Sequence, residues 1–282
     1  MHRTLVSTAE LAGHLDDPTW VVVDVRYNLT DTAAGAAQYR ESHIAGAVYA
    51  SLSHDLATTP TGTNGRHPLP TVETMAATFG RLGIGPATQV VCYDADNMFA
   101  ARLWWMLRYL GHDAVAVLDG GFPKWVNEGR PVQSGEQHRT PATFTPALRA
   151  GMRVPVETVA AASQDGTLRL VDARAPERFA GQNETLDKAA GHIPGAGNHF
   201  FKLNFTPEGT IRPAEELRAA LTATTEGKPM SDVVMYCGSG VTACQNLLAL
   251  EHAGLPGARL YVGSWSEWSA DPGRPIETGA AR

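Results

Sequence analysis

Short apolar runs alternate along the chain with longer stretches of helical spacing. Trp20–Val25, Val90–Tyr93, Ala114–Leu118, Leu168–Val171, Val233–Tyr236 and Arg259–Val262 are mostly apolar, and several are β-branched. Runs of this kind predict parallel strands buried on both faces. Between them, Val72–Leu82, Met98–Leu110, Pro213–Leu221 and Val241–His252 read as helices. Pro213 suits a first helical turn, and Gly111 and Gly254 suit helix stops. Such alternation predicts an α/β fold with mainly parallel sheets flanked by helices.

The second half repeats the first. Val22-Val23-Asp24-Val25-Arg26 resembles Leu170-Val171-Asp172-Ala173-Arg174 at an offset of 148, and His43-Ile44-Ala45-Gly46-Ala47 resembles His192-Ile193-Pro194-Gly195-Ala196 at 149. Val90–Tyr93 matches Val233–Tyr236, and Gly120 and Trp125 fall on Gly263 and Trp268, all at 143. Matches kept in order with so little drift point to a tandem duplication. The expected domains are residues 1–130 and 154–282. The stretch 131–153, poor in periodicity and rich in Gly, Pro, Thr, Gln and Arg, reads as a linker.

Composition narrows the function classes. At 43 % hydrophobic and 18 % charged residues the chain is globular, and a net charge of −6 argues against nucleic acid or an anionic membrane as partner. The first residues lack an apolar core followed by a cleavage site, so the expected compartment is the cytoplasm. Cys92, Cys237 and Cys244 are an odd number in a reducing compartment, which speaks against a disulfide framework. The six residues between Cys237 and Cys244 are not a usual zinc spacing, so neither a metal nor another cofactor is expected.

One thiol stands apart. The strand Val233–Tyr236 runs directly into Cys237-Gly238-Ser239-Gly240-Val241-Thr242-Ala243-Cys244. Ligands of open α/β sheets collect at the carboxyl ends of strands, and glycines let backbone curl closely around a group placed there. Curled N–H groups and the positive end of the following helix favour thiolate over thiol at Cys237. Cys92 lies mid-strand and Cys244 inside the next helix, where burial makes a thiol inert.

The loop resembles the active-site loop of the mercaptopyruvate branch of the rhodanese superfamily. Asp172-Ala173-Arg174, Arg178-Phe179, Gly191–Ala196, and Asp119-Gly120-Gly121 with Trp125 carry further resemblance, over about residues 5–278. The resemblance implies two rhodanese-like domains and a sulfurtransferase. Cys237 would take a sulfane sulfur from 3-mercaptopyruvate as a persulfide, release pyruvate, and pass the sulfur to cyanide or a thiol, a thioredoxin-like protein included. It further implies donor contacts from the loop residues Gly238, Gly240, Val241 and Thr242, a Ser-His-Asp relay of Ser239, His43 and Asp31, and a carboxylate clamp at Arg178. A second clamping arginine is expected further along, where this chain has Asn183-Glu184-Thr185; Arg66 is the candidate to supply a further charge. The 143 offset sets Asp94 against Cys237, so the first domain reads as catalytically silent.

Three other readings compete. Thiosulfate sulfurtransferases typically place Arg and Lys where this loop has Gly238 and Ser239, cations that suit a dianionic donor. A persulfide carrier without turnover would need the same loop. A phosphatase would need an arginine six residues past the cysteine, where Ala243 stands.

Overall fold

Strands form where the apolar runs fall. The computed structural model describes residues 1–280, which form two compact units. The first comprises Met1–Thr58, Leu69–Arg149 and Phe205–Ile211; the second comprises Thr59–Pro68, Ala150–Asn204 and the chain from Arg212 onward. The division therefore falls after Arg149, and a short segment from each half belongs to the opposite unit.

The first unit holds β1 (Leu5–Val6), β2 (Trp20–Asp24), β3 (His43–Ile44), β4 (Val48–Tyr49), β5 (Gln89–Tyr93), β6 (Val115–Leu118) and β7 (Val132–Gln133). Five make a parallel sheet in the order β1-β6-β5-β2-β4, while β3 and β7 pair antiparallel. The second unit holds β8 (Arg169–Asp172), β9 (Gly197–Asn198), β10 (Val233–Tyr236) and β11 (Arg259–Leu260), parallel in the order β11-β10-β8-β9. Register repeats as well as order. Leu5 pairs with Val117, and Arg153 bridges Leu260, the same pair displaced by 148 and 143 residues.

The cores repeat side chain for side chain. Val22, Ile44, Tyr93 and Trp125 in one cluster correspond to Leu170, Ile193, Tyr236 and Trp268 in the other. Trp125 and Trp268 are fully buried, so truncating either to Ala would cost about 3–5 kcal/mol. Each unit also buries the ion pair that opens its first strand-to-loop turn. Arg26 Nε and Nη2 donate to Asp24 at 2.9 and 2.6 Å, and Arg174 does the same to Asp172 at 2.9 and 2.7 Å. Each arginine then donates to a carbonyl, Ser42 at 2.6 Å or Gly191 at 2.7 Å, which fixes where the loop returns.

Three local expectations are corrected. Most of the stretch 131–153 is not a spacer. Ala142, Ala147 and Arg149 donate their N–H groups to Gly80, Leu110 and Tyr109, and Phe144 packs edge-on against Phe79. Its hydrogen bonds go to distant segments, so it shows no period of its own. Pro213 lies one residue before the helix Ala214–Thr224, with extended backbone at ψ 141°. The helix after Cys237 runs Ala243–His252, two residues later than expected, because the loop keeps curling through Val241 and Thr242.

Candidate active site

Parallel pairing of β10 between β8 and β11 presents the carboxyl end of β10, and the residue after it is Cys237. The residue is 2 % exposed. Its backbone is held from the side by the short helix Ser264–Trp268. Cys237 N–H donates to Ser264 Oγ at 3.1 Å, while the N–H groups of Trp265 and Ser266 donate to the carbonyls of Cys237 and Gly238 at 2.9 Å each. Ser264 accepts the first of these from left-handed backbone, φ 54°, a conformation costly for a serine. Gly240 is also left-handed, at φ 72°, and a Cβ there would lie 2.3 Å from the carbonyl oxygen of Val262. Only glycine fits.

The other loop shows what this turn is built to hold. At the 143 offset Asn97 falls on Gly240, and it too is left-handed, at φ 58°. Within that first loop the Asp94 carboxylate accepts from the N–H groups of Asn97, Phe99 and Ala100 at 2.7, 2.6 and 2.8 Å. The turn is thus an anion cradle filled by its own side chain. Burial pushes the Asp94 carboxyl above its ordinary range, against those three bonds. The matching positions of the second loop are Gly240, Thr242 and Ala243.

Ser239 is nearly buried, and its hydroxyl lies 2.8 Å from Nδ1 of His67. The histidine expected here was His43. That ring is fully buried in the first unit, donates Nδ1–H to the Tyr39 carbonyl at 2.7 Å, and stacks on the Tyr39 ring. His192 repeats the arrangement with the Phe179 carbonyl, at 2.8 Å, and the Phe179 ring. His43 ties the end of the helix Ala34–Glu41 to β3, and His192 ties the end of the short helix Pro176–Phe179 to the segment that bridges Glu277. Asp31 is exposed and accepts from Ala33 N–H at 3.1 Å, closing a turn just before the helix Ala34–Glu41. The hydrogen-bonded partner of Ser239 is therefore His67. Its signal in the sequence was adjacency to Arg66 in Asn64-Gly65-Arg66-His67-Pro68, a segment that belongs to the second unit.

Two guanidiniums face the loop at Gly238. A Cβ on that residue would lie 2.8 Å from Arg66 Nη2 and 3.7 Å from both Nη atoms of Arg178. The cations missing from the loop are supplied beside it. Each arginine is already engaged by a carboxylate. Arg178 donates to both Glu184 oxygens, at 2.8, 2.9 and 3.1 Å, and once to Asp187 at 3.1 Å; Arg66 is ion-paired with the other oxygen of Asp187. Glu184 also accepts from the N–H groups of Leu186 and Asp187, which holds its carboxyl below the ordinary range despite burial.

The remaining cysteines stay outside this setting. Cys92 is fully buried in β5, and burial drives its thiol far upward. Cys244 sits in the helix Ala243–His252, its Sγ directed at the Gly240 carbonyl at 3.4 Å.

Comparison with known proteins bears on the whole chain. The Rhodanese-like domain family matches residues 7–128 and again 155–271. A Pseudomonas aeruginosa protein named "Probable 3-mercaptopyruvate sulfurtransferase" is 43 % identical over 278 residues, covering 98 % of each chain. Thiosulfate sulfurtransferase of Cricetulus griseus is 35 % identical, covering 95 % of this chain and 92 % of that one. The structure of 3-mercaptopyruvate sulfurtransferase from Leishmania major superposes with a TM-score of 0.84 at 32 % identity, covering 95 % of this chain and 74 % of that one. With both units matched and relatives of this closeness along nearly its full length, the chain belongs to the rhodanese family, as two rhodanese-like domains in tandem.

Proposed function

We propose that this protein is a sulfurtransferase that moves a sulfane sulfur from 3-mercaptopyruvate through a persulfide on Cys237 to a thiol or cyanide. The observation that carries the reading is the convergence at one strand end. A cysteine with a fixed backbone stands in an anion-holding turn, beside a hydrogen-bonded Ser239–His67 pair and two guanidiniums. The relatives' names support the same reaction class.

The chemistry follows from these positions. The Cys237 thiolate attacks the donor sulfur, the carbon–sulfur bond breaks, and the bonding pair passes to carbon. That carbon takes a proton and leaves as the methyl group of pyruvate. Ser239 and His67, 2.8 Å apart, are the groups that move the proton. The persulfide left behind is anionic, and the N–H groups of Gly240, Thr242 and Ala243 hold it as their counterparts hold Asp94. An acceptor thiolate or cyanide then attacks the outer sulfur and frees Cys237. Splitting the transfer into two displacements predicts ping-pong kinetics. Parallel double-reciprocal lines for mercaptopyruvate against a small thiol would support this order, and intersecting lines would exclude it.

Thiosulfate is the second donor to consider, because Arg66 and Arg178 at Gly238 suit a dianion. Three free cysteines are consistent with a reducing compartment, and we place the protein in the cytoplasm on that ground. The acceptor in that setting would be a small thiol or a thioredoxin-like protein. No helix among the described residues is long and apolar enough to cross a membrane.

A further inference from the structure

We propose that Asp187 is a specificity-determining residue: its carboxylate holds the place at Arg66 and Arg178 that the donor's anionic group takes, and so sets how much negative charge a donor can carry. The inference rests on the reading above, in which donor binds beside Gly238.

The geometry is that of an internal stand-in. One oxygen of Asp187 pairs with Arg66 and the other with Arg178 at 3.1 Å, and the side chain is 3 % exposed, whereas the two arginines are 29 % and 23 % exposed. The carboxylate therefore lies deeper than the two guanidiniums, which reach the loop at Gly238. Glu184 completes the cluster, paired with Arg178 at 2.8 Å and Arg174 at 3.4 Å. Arg174 is already matched by Asp172. The four remaining groups, Arg66, Arg178, Glu184 and Asp187, sum to zero charge. An arriving anion meets a neutral cluster, not a dication, and must draw the arginines away from Asp187. Burial pushes the Asp187 carboxyl above its ordinary range in spite of both arginines, so its ionised form is the less comfortable of the two acids. Glu184 differs. It caps its own turn through two backbone N–H groups and serves the fold.

Coulomb energy is proportional to donor charge, so removing one negative charge helps a dianion twice as much in free energy as a monoanion. The replacement Asp187→Asn should raise kcat/KM for 3-mercaptopyruvate about tenfold and for thiosulfate about a hundredfold, through KM with kcat little changed. Arg66 and Arg178 keep partners in that variant, at the Leu186 carbonyl and Glu184. Any misfolded fraction would lower both donors by one factor, so the ratio between donors reports Asp187 even if the variant is less stable.

The experiment compares wild type, Asp187→Asn and Arg178→Ala with both donors, cyanide as acceptor, at one pH and ionic strength. A shift of preference towards thiosulfate in Asp187→Asn, with weakened donor binding in Arg178→Ala, supports the proposal. An unchanged donor ratio in Asp187→Asn, with Arg178→Ala still raising KM, overturns it and leaves the donor site standing. An unchanged KM in Arg178→Ala overturns the donor site as well.

Discussion

Ser264 donates its hydroxyl to the Tyr261 carbonyl at 2.9 Å and with the same oxygen accepts the backbone N–H of Cys237 at 3.1 Å. Its repeat partner is Gly121, left-handed at φ 56° as Ser264 is at φ 54°. The second unit thus carries a hydroxyl where the first carries none, and accepts backbone strain to keep it. Replacing Ser264 by Ala keeps the strain and loses both bonds, one of them to a buried N–H, at a cost of about 1–3 kcal/mol. Ser264→Gly relieves the strain and loses the same bonds. Thermal melts should rank wild type above Gly and Gly above Ala, and both variants should lose kcat because Cys237 is no longer pinned.

The two histidines at the centre of the account separate by readout. His67→Gln and Ser239→Ala should each lower kcat with mercaptopyruvate by about 10²–10⁴-fold, the range of a lost acid–base group. The double variant should be little worse than either single one, because the two act as a unit. His43→Gln should instead lower the melting temperature, since it breaks the bond to the Tyr39 carbonyl and the stack on that ring. A kcat loss in His43→Gln with unchanged stability would return the relay to His43.

Two arginines four residues apart, Arg174 and Arg178, should fail differently. Arg174 is buried and bound to Asp172 and the Gly191 carbonyl, so Arg174→Ala leaves a buried carboxylate unpaired, a loss of about 3–5 kcal/mol by denaturant titration. Arg178 is partly exposed beside Gly238, and Arg178→Ala should raise KM for mercaptopyruvate about tenfold or more. Arg178→Lys should restore only part of that, the forked geometry being lost.

Stability should fall as pH drops below the ordinary histidine range. Burial lowers the affinity of His112, His192 and His199 for protons in the folded state. Below pH of about 6.5 the unfolded chain binds protons at these sites that the folded chain does not, so the slope of stability with pH is positive there. Each histidine contributes up to about 1.4 kcal/mol per pH unit. Asp94 and Asp187, raised by burial, work in the opposite direction as they take up protons. Melts from pH 7.5 to 5.5 should show a decline, shallower in His199→Gln. A flat profile would contradict the assignment of these rings as buried and neutral.

Periodicity and internal repetition carried most of the architecture, because parallel strands and their helices imprint a pattern on the chain. Cys237 was visible for the same reason: a strand that ends in a glycine-flanked cysteine has few other uses. His67 was not, since it lies in 59–68, an irregular segment that no period marks and that belongs to the second unit despite its place in the first half. His43 drew attention by its motif, yet that motif recurs at His192 as a structural bond, which the sequence alone could not distinguish from chemistry. Asp187 was invisible because a carboxylate bridging two arginines has no sequence signature. Only the fold brings Arg66 to it.

Cys237 alone should carry the transferred sulfur. Mass spectrometry of the protein after treatment with 3-mercaptopyruvate, without acceptor, should show one added sulfur on the peptide containing Cys237, with pyruvate released in equal amount. Cyanide should remove it, and Cys237→Ser should neither gain sulfur nor release pyruvate. Sulfur mapped to Cys92 or Cys244, or pyruvate released steadily by Cys237→Ser, would contradict the account.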